Sequence, residues 1–167
     1  MYYLDLLKEF HTSGIRYMIA GGLSVNLHGI PRVTQDIDII ISLDSENIRL
    51  VNSVLEKLGF EPSHPVNPED LSDESIREAW IREKNLIAFS FHHKTDNYRV
   101  VDIVLVHPLD FNSAYLNRTV KSVKDFTINL VSIDDLIKMK KFSGRNQDIS
   151  DIELLEKLRL FMESNDE

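Results

Sequence analysis

The sequence predicts an α+β, mixed α/β fold: one mixed, largely antiparallel sheet packed by helices, with a helical C-terminal end. Apolar residues recur at helical spacing at Tyr3, Leu6, Leu7 and Phe10, and again at Ile48, Val51, Leu55 and Leu58. Among and after them stand short runs rich in β-branched residues, notably Ile37-Asp38-Ile39-Ile40-Ile41 and Val100-Val101-Asp102-Ile103-Val104. Beyond residue 132 the helical spacing dominates. The chain reads as one domain, with about 1–131 as an α/β core and about 132–163 as C-terminal helices.

Residues 2–11 form a short amphipathic helix, because their apolar positions share one face. After Gly14, residues 15–20 read as a buried strand. Gly21-Gly22 breaks it, and residues 23–29 read as a helix ended by Gly29 and Pro31. Residues 36–42 are the second strand, and 45–58 a helix with Gly59 where a left-handed cap belongs. Prolines 62, 65 and 68 leave the next stretch as a loop, and 72–84 reads as a further helix. Residues 86–93 and 98–106 are extended and joined by the turn residues Lys94-Thr95-Asp96-Asn97, so they pair as a hairpin. Residues 123–131 are another extended piece. Ser132 with Asp135 makes a capping pattern that starts a helix near 133, and Gly144 interrupts it. A final helix carries Leu154, Leu155, Leu158, Phe161 and Met162 on one face, and the terminal Ser-Asn-Asp-Glu is expected to fray.

Composition narrows the function classes. The chain has 167 residues, 43% apolar and 28% charged, enough to bury a core without staples. Cysteine is absent, which excludes disulfides, thiolate metal sites and a cysteine nucleophile. No apolar run approaches the roughly 20 residues of a membrane helix, and the acidic opening is unlike a signal peptide. A cytoplasmic protein with no membrane partner is expected. The net charge of −8 argues against broad adhesion to nucleic acid. Residues 118–145 depart from that balance, with seven Lys or Arg against three acids, a local +4 on a remainder of −12. This segment suits a small anionic ligand, or is a solvated face.

Three carboxylates stand where apolar side chains are expected. Asp36 and Asp38 flank Ile37 at the start of an Ile-rich strand, and i and i+2 of a strand share a face. Asp102 interrupts a second strand too apolar for an exposed edge, where an unpaired charge is costly. If the strands at 36–41 and 98–105 lie side by side, the three converge into an all-oxygen site for Mg²⁺, with room for two ions about 3.5–4 Å apart. Upstream, Gly21-Gly22-x-Ser24 lies between a strand and a helix, where backbone N–H groups attract phosphate and glycine permits close approach. It is neither a Walker motif nor a dinucleotide fingerprint.

The stretch Gly21-Gly22-Leu23-Ser24 … Arg32-Val33-Thr34-Gln35-Asp36-Ile37-Asp38 resembles the nucleotidyltransferases of the DNA polymerase β superfamily. The nearer likeness is to small bacterial members of the abortive-infection toxin and lincosamide-resistance types. Asp102 matches their third aspartate, and Met139-Lys140 … Gly144-Arg145-Asn146-Gln147-Asp148 … Asp151 is similar to their C-terminal element. The resemblance runs from about 15 to 155 and implies a polymerase β-like nucleotidyltransferase fold and a metal-assisted transfer of a nucleoside monophosphate from an NTP to a hydroxyl. It implies that Asp36 and Asp38 hold Mg²⁺ on the triphosphate, with Mn²⁺ as a substitute. Asp38 and Asp102 would hold a second ion, and Asp102 would also orient or deprotonate the acceptor. Gly21, Gly22 and Ser24 would grip the distal phosphates, and Lys140 and Arg145 would neutralise the departing pyrophosphate. Arg32 and Thr34 would shape the loop beside the metals.

Other candidates read as structural. His92 and His93 face opposite sides of a strand, and His28 reads as a helix cap. Trp80 reads as core, and Asp148 with Asp151 as anchors for Arg145 or a neighbouring helix. The acceptor is open between a tRNA end, a protein side chain and a small alcohol. The competing function is a non-catalytic nucleotidyltransferase-like module that acts with a protein partner in a toxin–antitoxin or regulatory pair. All three aspartates being present favours the enzyme. A metal phosphoesterase would call for several histidines.

Overall fold

Strands buried on both faces read as continuous apolar runs, and here they occupy the centre of a seven-stranded sheet. The computed structural model describes residues 2–166. Its elements are α1 (Tyr2–Thr12), β1 (Tyr17–Ala20), α2 (Gly21–Leu27), β2 (Ile37–Ile41), α3 (Ser45–Lys57), β3 (Phe60–Pro62), a 3₁₀ turn (Pro68–Ser72) and α4 (Glu74–Lys84). There follow β4 (Ala88–His93), β5 (Val100–Val104), α5 (Phe111–Leu116), β6 (Thr119–Val123), β7 (Phe126–Leu130), α6 (Ile133–Ser143) and α7 (Asn146–Asn165). The strand order is β3-β4-β5-β2-β1-β7-β6. β2 pairs with β5 and β1 with β7 in parallel, and the remaining pairs are antiparallel. The sheet is therefore mixed and largely antiparallel, and the two aspartate-bearing strands are neighbours.

The period of two sorts the central strands between two cores. Tyr17 and Ile19 of β1, Ile37, Ile39 and Ile41 of β2, and Val101 and Ile103 of β5 pack with Leu6, Leu7 and Phe10 of α1 and Ile48, Val51 and Leu55 of α3. Met18, Ala20 and Ile40 face the opposite way, toward Val25 of α2, Leu136 and Ile137 of α6, and Leu155 of α7. Asp38 and Asp102 share the parity of Ile40 and Val104, so they stand on the face that α6 and α7 cover.

Helix ends follow local chemistry. The Asp44, Asp73 and Ser132 side chains accept from the backbone N–H groups of Asn47, Ile76 and Asp135, capping α3, α4 and α6. Gly144, at φ +67°, ends α6 and turns the chain directly into α7. His28 caps the C-terminal end of α2 and bonds through Nε2 to the Val131 carbonyl at 2.8 Å. Trp80 is buried against Phe89, with ring centroids 5.6 Å apart.

Some expectations are corrected. α2 begins at Gly21 itself, so the glycine pair forms its first turn. The proline-rich loop contains the short strand β3, because Phe60 and Pro62 pair at the sheet edge with His93 and Phe91. The extended piece at 123–131 is half of a hairpin that turns at Lys124, φ +53°, and Asp125. α5 carries no strong periodic signal in its six residues. In α7 only Leu155 of the expected apolar face is fully buried, while Leu154, Phe161 and Met162 are exposed. The helix packs along α6, with Glu156 and Arg159 paired to Lys141 and Asp134, while its last turns are exposed. Helical structure continues through Asn165, and Ser164 donates to the Phe161 carbonyl. Glu167 lies outside the described residues.

Candidate active site

Four residues on adjacent strands lie level across the sheet: Ala20 pairs with Asp38, Asp38 with Asp102, and Asp102 with Ser90. Neighbouring strands are about 4.8 Å apart, so this register sets the two carboxylates side by side. Burial pushes the Asp38 carboxyl up to about 6, helped by repulsion from Asp102 and Asp36 and opposed by Arg145 and Lys140. Asp102 is also raised, by burial first and by Asp36, while a hydrogen bond from the Ser90 hydroxyl to Oδ1 holds it back. Among the described residues, none of the three aspartates has an ion-pair partner.

The glycine turn abuts this pair. Gly21 has φ +59°, and a Cβ there would collide with Asp38 Oδ2, so only glycine fits the turn. A Cβ on Gly22 would come within 2.9 Å of both Arg32 Nη1 and Thr34 Oγ1, which places those two side chains over the turn. Ala20 provides no side-chain cap for α2. Ser24 is buried, and among the described residues its Oγ has no partner and does not line the cleft, contrary to the expectation for its hydroxyl.

The opposite wall is an ion network. Lys140, 4% exposed, donates to Asp151 at 2.9 Å and Asp148 at 3.3 Å. Arg32 reaches Asp151 at 2.8 Å from the loop between α2 and β2. Arg145 contacts Asp148 through Nε at 3.3 Å, yet its side chain is 72% exposed. Burial works against Asp148, but the Lys140 and Arg145 charges and the Arg145 N–H hold its carboxyl below the ordinary range. Asp148 and Asp151 thus anchor Arg145, Lys140 and Arg32, as the helical spacing suggested. The Lys140 charge, expected to face a triphosphate, is held by two carboxylates.

The expected convergence of three carboxylates is corrected. Asp36 precedes β2 on an exposed bend, beside Tyr2, Tyr3, Thr34 and Gln35, and only Asp38 and Asp102 share the main cleft. The alternation of a strand begins at Ile37, so it does not orient Asp36. Among the described residues, no group of three acidic or imidazole side chains is close enough to hold one ion. Asp36 is still near enough to raise both neighbours electrostatically. Two adjacent unpaired carboxylates are hard oxygen donors of the type Mg²⁺ takes, so the donor chemistry fits that ion.

Between these walls lies a cavity of about 440 Å³, the size of a small-molecule pocket. Sequence reasoning missed several of its residues: Ile87, Val106, His107 and Phe142. They come from segments that share no spacing in the sequence, so no periodic signal marks them. Four of the seven basic residues at 118–145 pair with carboxylates: Lys138 with Asp135, Lys140 with Asp148 and Asp151, Lys141 with Glu156, and Arg145 with Asp148.

A glycine turn thus lies beside two in-register aspartates at the centre of a mixed sheet. The chain belongs to the family described as "Nucleotidyltransferase of unknown function (DUF6036)", whose model matches residues 4–159. The fold is similar to that of the lincosamide antibiotic adenylyltransferase LnuA, solved with lincomycin bound, at TM-score 0.60 and 19% identity over 94% of this chain and 96% of that one. It is similar to ANT(2")-Ia in complex with adenylyl-2"-tobramycin, at TM-score 0.53 and 12% identity over 99% and 98% of the two chains. An antigenic nucleotidyltransferase-like protein from Paracoccidioides brasiliensis aligns at TM-score 0.55 and 22% identity over 92% of this chain and 73% of its own. No curated protein matches the chain. Among the described residues no helix is long and apolar enough to cross a membrane.

Proposed function

We propose that this chain transfers a nucleoside monophosphate from an Mg²⁺-bound NTP to a hydroxyl acceptor and releases pyrophosphate. One observation carries the reading: Asp38 and Asp102 stand in register, without cation partners, beside a turn that only glycine fits. Asp38 and Asp102 would hold the ion, and Asp36 adds negative charge from the bend before the strand. When bound, Mg²⁺ neutralises the triphosphate and polarises the α-phosphoryl group. The N–H groups of Gly21 and Gly22 at the start of α2 receive the distal phosphates. The exposed Arg145 meets the pyrophosphate as the bond from the α-phosphorus to its bridging oxygen breaks. Lys140 supports that role by holding Asp148, to which Arg145 is tied. Asp102 orients the acceptor hydroxyl and takes its proton as the oxygen attacks in line. In this division, residues to about 131 supply the carboxylates and the turn, and the helices from about 132 supply the cations.

The adenylyltransferases among the similar folds make ATP the first donor to test. The protein is incubated with each α-labelled NTP, Mg²⁺ and a cell extract, and the labelled product is identified. Label is expected in a hydroxyl-bearing molecule, lost in Asp38→Asn and without Mg²⁺. Label transfer unaffected by Asp38→Asn would refute the reading.

A further inference from the structure

The cleft has a second end that the transfer machinery does not use. The register places the groups in order across the sheet: Gly21 at the end of β1, Asp38 on β2, Asp102 on β5, then β4. In an in-line displacement the attacking and leaving oxygens lie on opposite sides of phosphorus. With pyrophosphate over Gly21, the attacking hydroxyl arrives from beyond Asp102. That side is apolar. Ile87, just before β4, and Val106, beyond β5, line it, and Phe142 of α6 faces it. Ile87 and Phe142 are 58% and 56% exposed, large apolar side chains held open at the mouth of a cavity.

A histidine next to Val106 lines the same cavity. His107 lies in the cavity wall on the loop after β5, and its Nδ1 accepts the Leu109 N–H at 3.2 Å. With Nδ1 taken as an acceptor, the neutral ring carries its proton on Nε2. Burial lowers its pKa, which favours that neutral ring. Its Nε2 has no protein partner among the described residues, so it is a donor open to a ligand, and its tautomer bars it from acting as the base.

We infer that Ile87, Val106, His107 and Phe142 form the acceptor pocket, and that it takes a small hydroxyl compound with an apolar ring face, which receives a hydrogen bond from His107 Nε2. The inference rests on the proposed nucleotidyl transfer and narrows its acceptor. A polyanionic acceptor is disfavoured because the side chains of Ile87, Val106 and Phe142 at this end are apolar. The cavity volume also fits a small molecule.

Pyrophosphate release from Mg²⁺·ATP is measured with phenyl β-glucoside and with glucose, and ATP binding is followed separately by calorimetry. The aryl compound is expected to be the better acceptor by at least about tenfold. His107→Ala raises its KM about five- to tenfold with the ATP dissociation constant unchanged, and His107→Gln, which keeps a donor near Nε2, restores most of it. Phe142→Ala, on an exposed side chain that can be removed without unfolding, raises the same KM. In the metal-free protein, phenyl β-glucoside shifts the His107 Nε2 nitrogen resonance. ATP binding without release to either compound, or an acceptor KM unmoved in both alanine variants, overturns the pocket and leaves nucleotide binding standing. Absence of ATP binding overturns the parent reading, and the pocket falls with it.

Discussion

Asp38→Asn is expected to stabilise the metal-free protein while abolishing transfer. With Asp38 held at about 6 against 3.8 in an unfolded chain, ionising it in the fold costs about 3 kcal/mol. Folding raises this pKa, so the penalty is absent below about pH 4, grows between pH 4 and 6, and is complete above pH 6. Asparagine matches the shape without the charge, and no hydrogen bond to the Asp38 side chain is lost among the described residues. At roughly 2–4 °C per kcal/mol for a chain of this size, Tm at pH 8 should rise by about 6–12 °C. Thermal unfolding followed by far-ultraviolet circular dichroism in EDTA, at pH 4 and pH 8, measures it. A variant no more stable than the parent at pH 8, or a gain equal at both pH values, would refute the electrostatic reasoning.

Three further outcomes follow from the same geometry. Gly21→Ala places a Cβ against Asp38 at positive φ and should cost more than about 1 kcal/mol in urea unfolding, with transfer lost. Wild-type stability and activity would contradict the tight turn. Lys140→Met leaves Asp148 and Asp151 buried with less compensation and should destabilise the fold by about 3–5 kcal/mol. A change within about 0.5 kcal/mol would show that the ion network is not structural. Ser90→Ala removes the hydroxyl that donates to Asp102 and should raise that carboxyl further, weakening Mg²⁺ binding increasingly as the pH is lowered. Unchanged calorimetric affinity would remove Ser90 from the site.

The sequence by itself determined the element types at the centre of the fold and the glycine turn, whereas the adjacency of the two aspartate strands is an expectation that the pairing of β2 with β5 bears out. These readings rest on local quantities: the period of two, the β-branched runs, and a charge that an apolar strand does not tolerate unpaired. Capping residues such as Asp44 and Ser132 were equally legible, since each acts on an N–H three residues away. Only the tertiary structure decided how the charges are shared. Asp36 lies one residue outside the strand, so the spacing rule that orients Asp38 does not reach it. Lys140 and Arg32 come from segments far apart in the chain, and both meet Asp151 on α7. The far wall of the cleft joins Ile87, His107 and Phe142, which share no spacing in sequence. A periodic pattern tells which face of an element is buried, whereas the partner across that face depends on how helices and sheet close on one another, and long-range packing sets that.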